Sequence, residues 1–170
     1  MPVVLYNIER YANEISPETL SQVLHIENIA AIKDSSGNLP DLMAFLDVAG
    51  RKPGFGVLVG FEEMLSSAVP LGASGCMTAS GGIFPEIMAA IFTAARDGRT
   101  KDAAALQKIL AAATNRMRAV FFPYGYKLAM EARGFDMGKY KVIFDETSFL
   151  QQRESINRAV REALDAYRKF

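Results

Sequence analysis

Residues 29–38 read IAAIKDSSGN, and this stretch decides the fold. Its first four residues are apolar without alternation, which is typical of a parallel strand buried on both faces. Asp34 to Asn38 then supplies the small and polar residues that end a strand and form a turn. Apolar positions at helical spacing follow from Leu39 to Ala49, and Gly50 marks the end of that helix. The stretch therefore predicts one β/α unit with Lys33 at the carboxyl end of its strand.

The same order of strand and helix is predicted three more times along the chain. The additional strands are predicted at residues 2–6, 56–60 and 75–78. Tyr6, Lys33 and Gly60 end consecutive strands and are spaced by 27 residues. Four β/α units in series predict parallel strands joined by right-handed crossovers, as in a β/α barrel or a doubly wound sheet. No Gly-x-Gly-x-x-Gly or Walker pattern follows a strand, which disfavours a nucleotide-binding sheet.

After the fourth β/α unit the sequence predicts helices and no further clear strand. Residues beyond 100 are predicted to form an alanine-rich helix and two amphipathic helices, with residues 140–144 ambiguous between strand and other structure. We therefore predict a partial β/α barrel at residues 1–98 and a C-terminal helical region at 99–170 that packs on it.

Composition excludes several classes of partner. Nineteen Lys and Arg balance nineteen Asp and Glu, which makes nucleic acid or an anionic membrane surface an unfavourable partner. No stretch has the length and apolarity of a membrane span. Cys76 is the single cysteine, which fits a reducing compartment such as the cytoplasm. His25 is the single histidine, so a multi-histidine metal site is excluded.

Lys33 and Tyr6 are the candidate catalytic residues, because they end neighbouring strands where β/α folds place their sites. A desolvated lysine is a nucleophile for carbonyl carbon, and a phenol beside it can carry protons. Each residue also has a purely structural interpretation. Lys33 could pair with Asp34 or extend to solvent, and Tyr6 could be a core tyrosine with a satisfied hydroxyl.

Three segments resemble one known family. They are VVLYN at 3–7, IKDSSG at 32–37 and GASG at 72–75 followed by Pro85. In order and spacing they are similar to the dihydrodipicolinate synthase / N-acetylneuraminate lyase superfamily of Schiff-base aldolases and lyases on a (β/α)₈ barrel. The resemblance covers roughly residues 1–98, and the lysine segment is its most specific part.

The resemblance implies a role for each matching residue. Lys33 matches the lysine that forms an imine with pyruvate or another 2-oxo acid, and Tyr6 matches the proton-carrying tyrosine. Gly60 matches a glycine whose backbone borders the substrate, while Met77 and Thr78 match lining positions of the last strand. This chemistry uses the lysine itself, so the resemblance implies no cofactor.

Two departures from the family pattern concern specificity and length. Dihydrodipicolinate synthases carry an arginine five residues after the tyrosine, where this chain has Tyr11. A (β/α)₈ barrel needs about 250 residues. The resemblance therefore implies half of such a barrel, strands five to eight of the family, plus the C-terminal helices. Its uncovered sheet surface predicts a homo-oligomer.

Three functional hypotheses follow from these residues. The first is a lyase or aldolase, or a fragment of one, that forms a lysine Schiff base. The second is a catalytically inactive half-barrel that acts as a structural or interaction module. The third is a small open-sheet binding domain without imine chemistry, and it requires Tyr6 and Lys33 to match by coincidence.

Overall fold

Four strands form one parallel sheet in the order β1-β2-β3-β4 in the computed structural model, which describes residues 1–141 and 145–170. The strands are β1 (Val3–Asn7), β2 (Ile29–Asp34), β3 (Gly56–Val59) and β4 (Gly75–Cys76). Every predicted strand is present, and the parallel α/β class is confirmed.

Helices follow each strand and make up the described C-terminal part of the chain. They are α1 (Pro17–Val23), α2 (Leu39–Ala49), α3 (Leu65–Ala68), α4 (Pro85–Arg96), α5 (Thr100–Arg118), α6 (Tyr124–Ala132) and α7 (Glu146–Arg168). Short 3₁₀ turns at Glu62–Met64 and Ala79–Gly82 precede α3 and α4. None of the helices in the described ranges is long and apolar enough to cross a membrane.

Local capping chemistry explains where two of these helices begin. The Ser16 side chain accepts a 3.2 Å hydrogen bond from the Thr19 amide, and Pro17 occupies the first helical position of α1. The Asp145 carboxylate accepts a 2.8 Å hydrogen bond from the Ser148 amide at the start of α7.

The fourth strand is shorter than predicted. The β-compatible residues run from 75 to 78, but the ladder with β3 ends at the pair Val59–Cys76. β3 itself ends at Val59, so residues 77 and 78 have no strand residues of β3 opposite them with which to continue the pairing.

The segment at 140–144, which is ambiguous from the sequence, falls mostly on residues 142–144, and these lie outside the described residues.

The chain divides into two compact units, with residues 1–78 and 92–100 in the first and residues 79–91 and 101–170 in the second. The core of the first unit lies between the sheet and its helices and includes Leu20, Ile32, Phe45, Val57 and Val59. Buried residues of the second unit include Leu106, Leu110, Leu128, Ile156 and Val160. The division at residue 98 proposed from the sequence stays a prediction.

Candidate active site

The carboxyl end of the sheet brings Tyr6 and Lys33 side by side. They are direct register partners in the parallel pairing of β1 with β2. Successive side chains of a strand point to opposite faces, so the next pair, Asn7 and Asp34, faces the other way. Burial follows this alternation. Tyr6 is 46% exposed, whereas Asp34 is only 2% exposed.

The Lys33 amine lies against the Tyr6 side chain. Its Nζ is 3.9 Å from the centre of the tyrosine ring. The hydrogen bond between these side chains is the largest cause of a lowered pKa at the Tyr6 phenol. Burial opposes this shift, while a hydrogen bond from Ser35 and the charge of Lys33 add to it. The phenol is therefore biased toward giving up its proton beside a primary amine.

A buried polar network holds the strand ends on the opposite face. The Asn7 Nδ2 donates to Asp34 Oδ1 at 2.8 Å, and the Ile15 amide donates to Asn7 Oδ1 at 3.0 Å. Asp34 also accepts from the Ser36 amide at 3.1 Å and from the Ser36 hydroxyl at 2.8 Å. Two strand ends and the following turn are thus tied to one carboxylate, which fixes the backbone that carries Tyr6 and Lys33.

Gly60 lies immediately after β3 and contacts the end of β2. Its amide donates a 2.6 Å hydrogen bond to the Asp34 carbonyl. A Cβ at this position would fall on the Ser35 Oγ and 2.9 Å from the Asp34 carbonyl oxygen. Only glycine therefore allows the chain after β3 to approach the turn after Lys33 so closely.

Met77 and Thr78 lie just beyond β4. The Met77 amide donates to the Val59 carbonyl at 3.0 Å, and the Met77 side chain is 50% exposed. The Thr78 side chain forms a hydrogen bond with the thiol of Cys76, which lowers the pKa of that thiol against the larger effect of burial. The substrate-lining roles of Met77 and Thr78 stay predictions.

Sequence reasoning singled out Lys33 and Tyr6 but missed the residues that hold them. The sequence predicts Asp34 only as a turn residue or an ion-pair partner of Lys33 and gives Asn7 and Ser36 no side-chain role, although each of the three makes a side-chain hydrogen bond in this network. The sequence does contain one signal for this network, which is the acidic residue Asp34 directly after Lys33 at the end of a strand. An Asp two residues before a Ser favours a side-chain turn at that point.

A comparison with protein-family models decides the classification. The model of the Dihydrodipicolinate synthetase family matches residues 1–161. The chain belongs to this family. The resemblance identified in the segments around Tyr6, Lys33 and Gly75 is thereby confirmed.

Curated relatives of this dihydrodipicolinate synthetase family chain include aldolases, synthases and lyases. A probable 2-dehydro-3-deoxy-D-pentonate aldolase of Escherichia coli is 34% identical over 113 residues, which cover 65% of this chain and 38% of that protein. A DapA-like lyase of Halobacterium salinarum is 30% identical over 138 residues, covering 81% and 44%. The chain thus spans about half the length, or less, of these curated relatives.

Solved structures show the same fold. A dihydrodipicolinate synthase of Bacillus anthracis superimposes with a TM-score of 0.84 at 24% identity, covering 95% of this chain and 55% of that one. A dihydrodipicolinate synthase of Acinetobacter baumannii, complexed with pyruvate, has a TM-score of 0.82 at 25% identity, covering 96% and 55%. The α/β fold of this family chain is therefore shared with these solved dihydrodipicolinate synthases over the matched residues.

Proposed function

We propose that this chain carries the reactive lysine of an aldolase or lyase that acts on pyruvate or another 2-oxo acid. The observation that carries the proposal is the 3.9 Å contact between the Lys33 Nζ and the Tyr6 ring at the carboxyl end of the parallel sheet. Barrel enzymes place their catalytic groups at this end. The pyruvate complex of the Acinetobacter relative and the aldolase name of the Escherichia relative support the substrate class.

The proposed chemistry begins with imine formation. The neutral Lys33 amine attacks the 2-oxo carbon, and the π electrons of the carbonyl move to its oxygen. The Tyr6 phenol protonates that oxygen and takes up the proton that the nitrogen releases. A further proton transfer from the phenol lets the hydroxyl leave as water, and the nitrogen lone pair forms the protonated imine. Overall, a neutral amine, a ketone and the phenol give a protonated imine, water and a phenolate, so atoms and charge balance.

The protonated imine then acts as an electron sink. It accepts the electron pair of a carbon–carbon bond one atom away, so that this bond breaks, or forms in the reverse direction. In this proposal the backbone of Gly60 borders the substrate, and Met77 and Thr78 line its site. The partly exposed face that carries Tyr6 gives the substrate access to the amine.

Reduction of the imine tests the proposal. The protein is incubated with pyruvate, treated with sodium borohydride, digested and mapped by mass spectrometry. We expect a stable pyruvyl adduct on Lys33 and its loss in Lys33→Ala. Lys101→Ala removes an exposed lysine at the start of α5 and should label normally. An adduct on a different lysine, or no adduct at any pyruvate concentration, would contradict the proposal.

We further propose that the sheet is one half of a (β/α)₈ barrel, equivalent to strands five to eight. The matched solved chains are covered to 55% or 56% of their length, which supports a half-barrel. The exposure of Val4 (44%) and Met77 (50%) on the first unit supports a further layer of structure over them. An inactive half-barrel that serves as an interaction module is the alternative. Self-association without any imine adduct would favour this alternative.

A further inference from the structure

Four residues lie at the same level across the sheet, on the face that carries the Lys33 side chain. They are consecutive register partners of the four parallel strands, namely Tyr6, Lys33, Leu58 and Gly75. Neighbouring strands lie about 4.8 Å apart, and side chains at paired positions point to the same face. Lys33 therefore has two lateral neighbours of different chemistry, with the Tyr6 phenol on the β1 side and the aliphatic Leu58 on the β3 side.

The Leu58 side chain extends toward β4, where this row of residues ends in a glycine. A Cβ built on Gly75 would lie 3.8 Å from the Leu58 Cδ2. Gly75 has a φ of +149°, a backbone conformation that residues with a side chain rarely adopt. Because no Cβ occupies this position, a Leu58 methyl group borders the backbone of β4, and hydrocarbon forms the β3 side of Lys33.

The two lateral neighbours of Lys33 favour one orientation of a 2-oxo acid that is bound to the amine. The reacting carbon carries an oxygen, a carboxylate and the third carbon of the acid. The oxygen lies on the Tyr6 side, because the phenol has to reach it to protonate it. The carboxylate is charged, and placing it against an aliphatic side chain without a partner is costly. The third carbon is the remaining substituent, and burying this apolar group against Leu58 is favourable.

We propose that Leu58 is a specificity-determining residue that contacts the third carbon of the 2-oxo acid and limits the size of its substituents. This inference rests on the function proposed above, because it requires the imine at Lys33. Leu58 takes no part in proton transfer. It favours pyruvate over 2-oxo acids that are branched at the third carbon, since its methyl groups occupy the space that a branch would need.

A comparison of two 2-oxo acids tests this role. The initial rate of borohydride trapping at Lys33 is measured with pyruvate and with 3-methyl-2-oxobutyrate, and the ratio of the two rates is taken within each variant, so that it does not depend on the amount of folded protein. Leu58→Ala makes room, and we expect the relative rate of the branched acid to rise about tenfold, the effect of one or two methyl groups in a pocket. Leu58→Asn nearly keeps the size but adds a polar group, so it should slow the trapping of pyruvate without raising this relative rate.

Leu5→Ala is the matched control for Leu58→Ala. Leu5 precedes Tyr6 in β1 and packs against the core of the first unit, so it lies on the face of the sheet opposite to Lys33. Its loss should lower stability but leave the ratio of the two rates at the wild-type value. An equal rise in Leu5→Ala, or trapping with an unchanged ratio in Leu58→Ala, would overturn this inference alone. If the wild type traps neither acid, the proposed function fails, and this inference fails with it.

Discussion

Asn7 and Asp34 are joined by a 2.8 Å side-chain hydrogen bond directly behind the pair formed by Tyr6 and Lys33. Both residues are almost fully buried. Because the four residues occupy two consecutive positions of the same parallel ladder, the buried pair fixes the strand register that places the Tyr6 and Lys33 side chains next to each other. The position of the candidate nucleophile therefore depends on polar residues on the opposite face of the sheet.

Replacing Asp34 with alanine should lower the stability of the protein substantially. The carboxylate accepts from the buried Asn7 amide and from two partly buried donors of Ser36, and its removal leaves all three without their partner. We expect the free energy of unfolding to fall by about 3 kcal/mol, since buried donors without acceptors are costly. Urea unfolding followed by circular dichroism measures this change.

Asp47→Ala is the matched control for Asp34→Ala. Asp47 forms an exposed ion pair with Arg51 at 2.9 Å, and exposed pairs contribute about 0–1 kcal/mol. Equal losses of stability in the two variants would contradict the structural role assigned to Asp34.

We expect the 170-residue chain to self-associate when it is studied alone. The sheet order leaves β1 and β4 as its edge strands in the described part of the chain, and Val4 and Met77 are substantially exposed. Two copies that cover the same surface around a two-fold axis would remove it from water. Sedimentation equilibrium at low micromolar concentration measures the mass. A folded monomer of 18.6 kDa would contradict this prediction.

The thiol of Cys76 should react slowly in the folded protein. Burial raises its pKa most, and the charge of Glu62 raises it further against a smaller opposing effect of Thr78. The thiolate is the reactive form, so alkylation by iodoacetamide at pH 8 should be about tenfold slower than in urea. Glu62→Gln should increase the folded rate, whereas Glu14→Gln, an exposed change, should not. A folded rate equal to the unfolded rate would contradict the assigned environment.

Much of the fold could be predicted because strand ends and helix starts have local sequence signals. The spacing of Tyr6 and Lys33 was sufficient to place them together, since consecutive parallel strands align their ends. The network of Asn7, Asp34 and Ser36 was not predicted, because its bonds depend on how side chains from two strands and a turn meet. The fit of Gly60 against Ser35 depends on a backbone approach that no local pattern encodes.

The hydrogen bond of the Tyr140 hydroxyl should make the free energy of unfolding decrease at alkaline pH. Its hydroxyl donates a 2.8 Å hydrogen bond to Glu131 Oε1, and Lys127 lies 4.8 Å from its ring centre. Burial raises the pKa of the phenol most, the bond to the Glu131 carboxylate and its charge raise it further, and Arg153 opposes them weakly. The folded state therefore favours the protonated phenol more than the unfolded state does.

The sign of the pH effect follows from this difference in proton binding. Below the ordinary tyrosine pKa of about 10 both states hold the proton, and the full stabilisation is present. Above it the unfolded chain loses its proton first, so stability falls as the pH rises toward the higher pKa of the folded protein. We expect Tyr140→Phe to be less stable than the wild type by about 1 kcal/mol at pH 8, with the gap narrowing above pH 10. Urea unfolding across this range measures the gap, and Tyr11→Phe, at an exposed position, is the control. A gap that stays constant up to pH 11 would contradict the assigned role of the Tyr140–Glu131 bond.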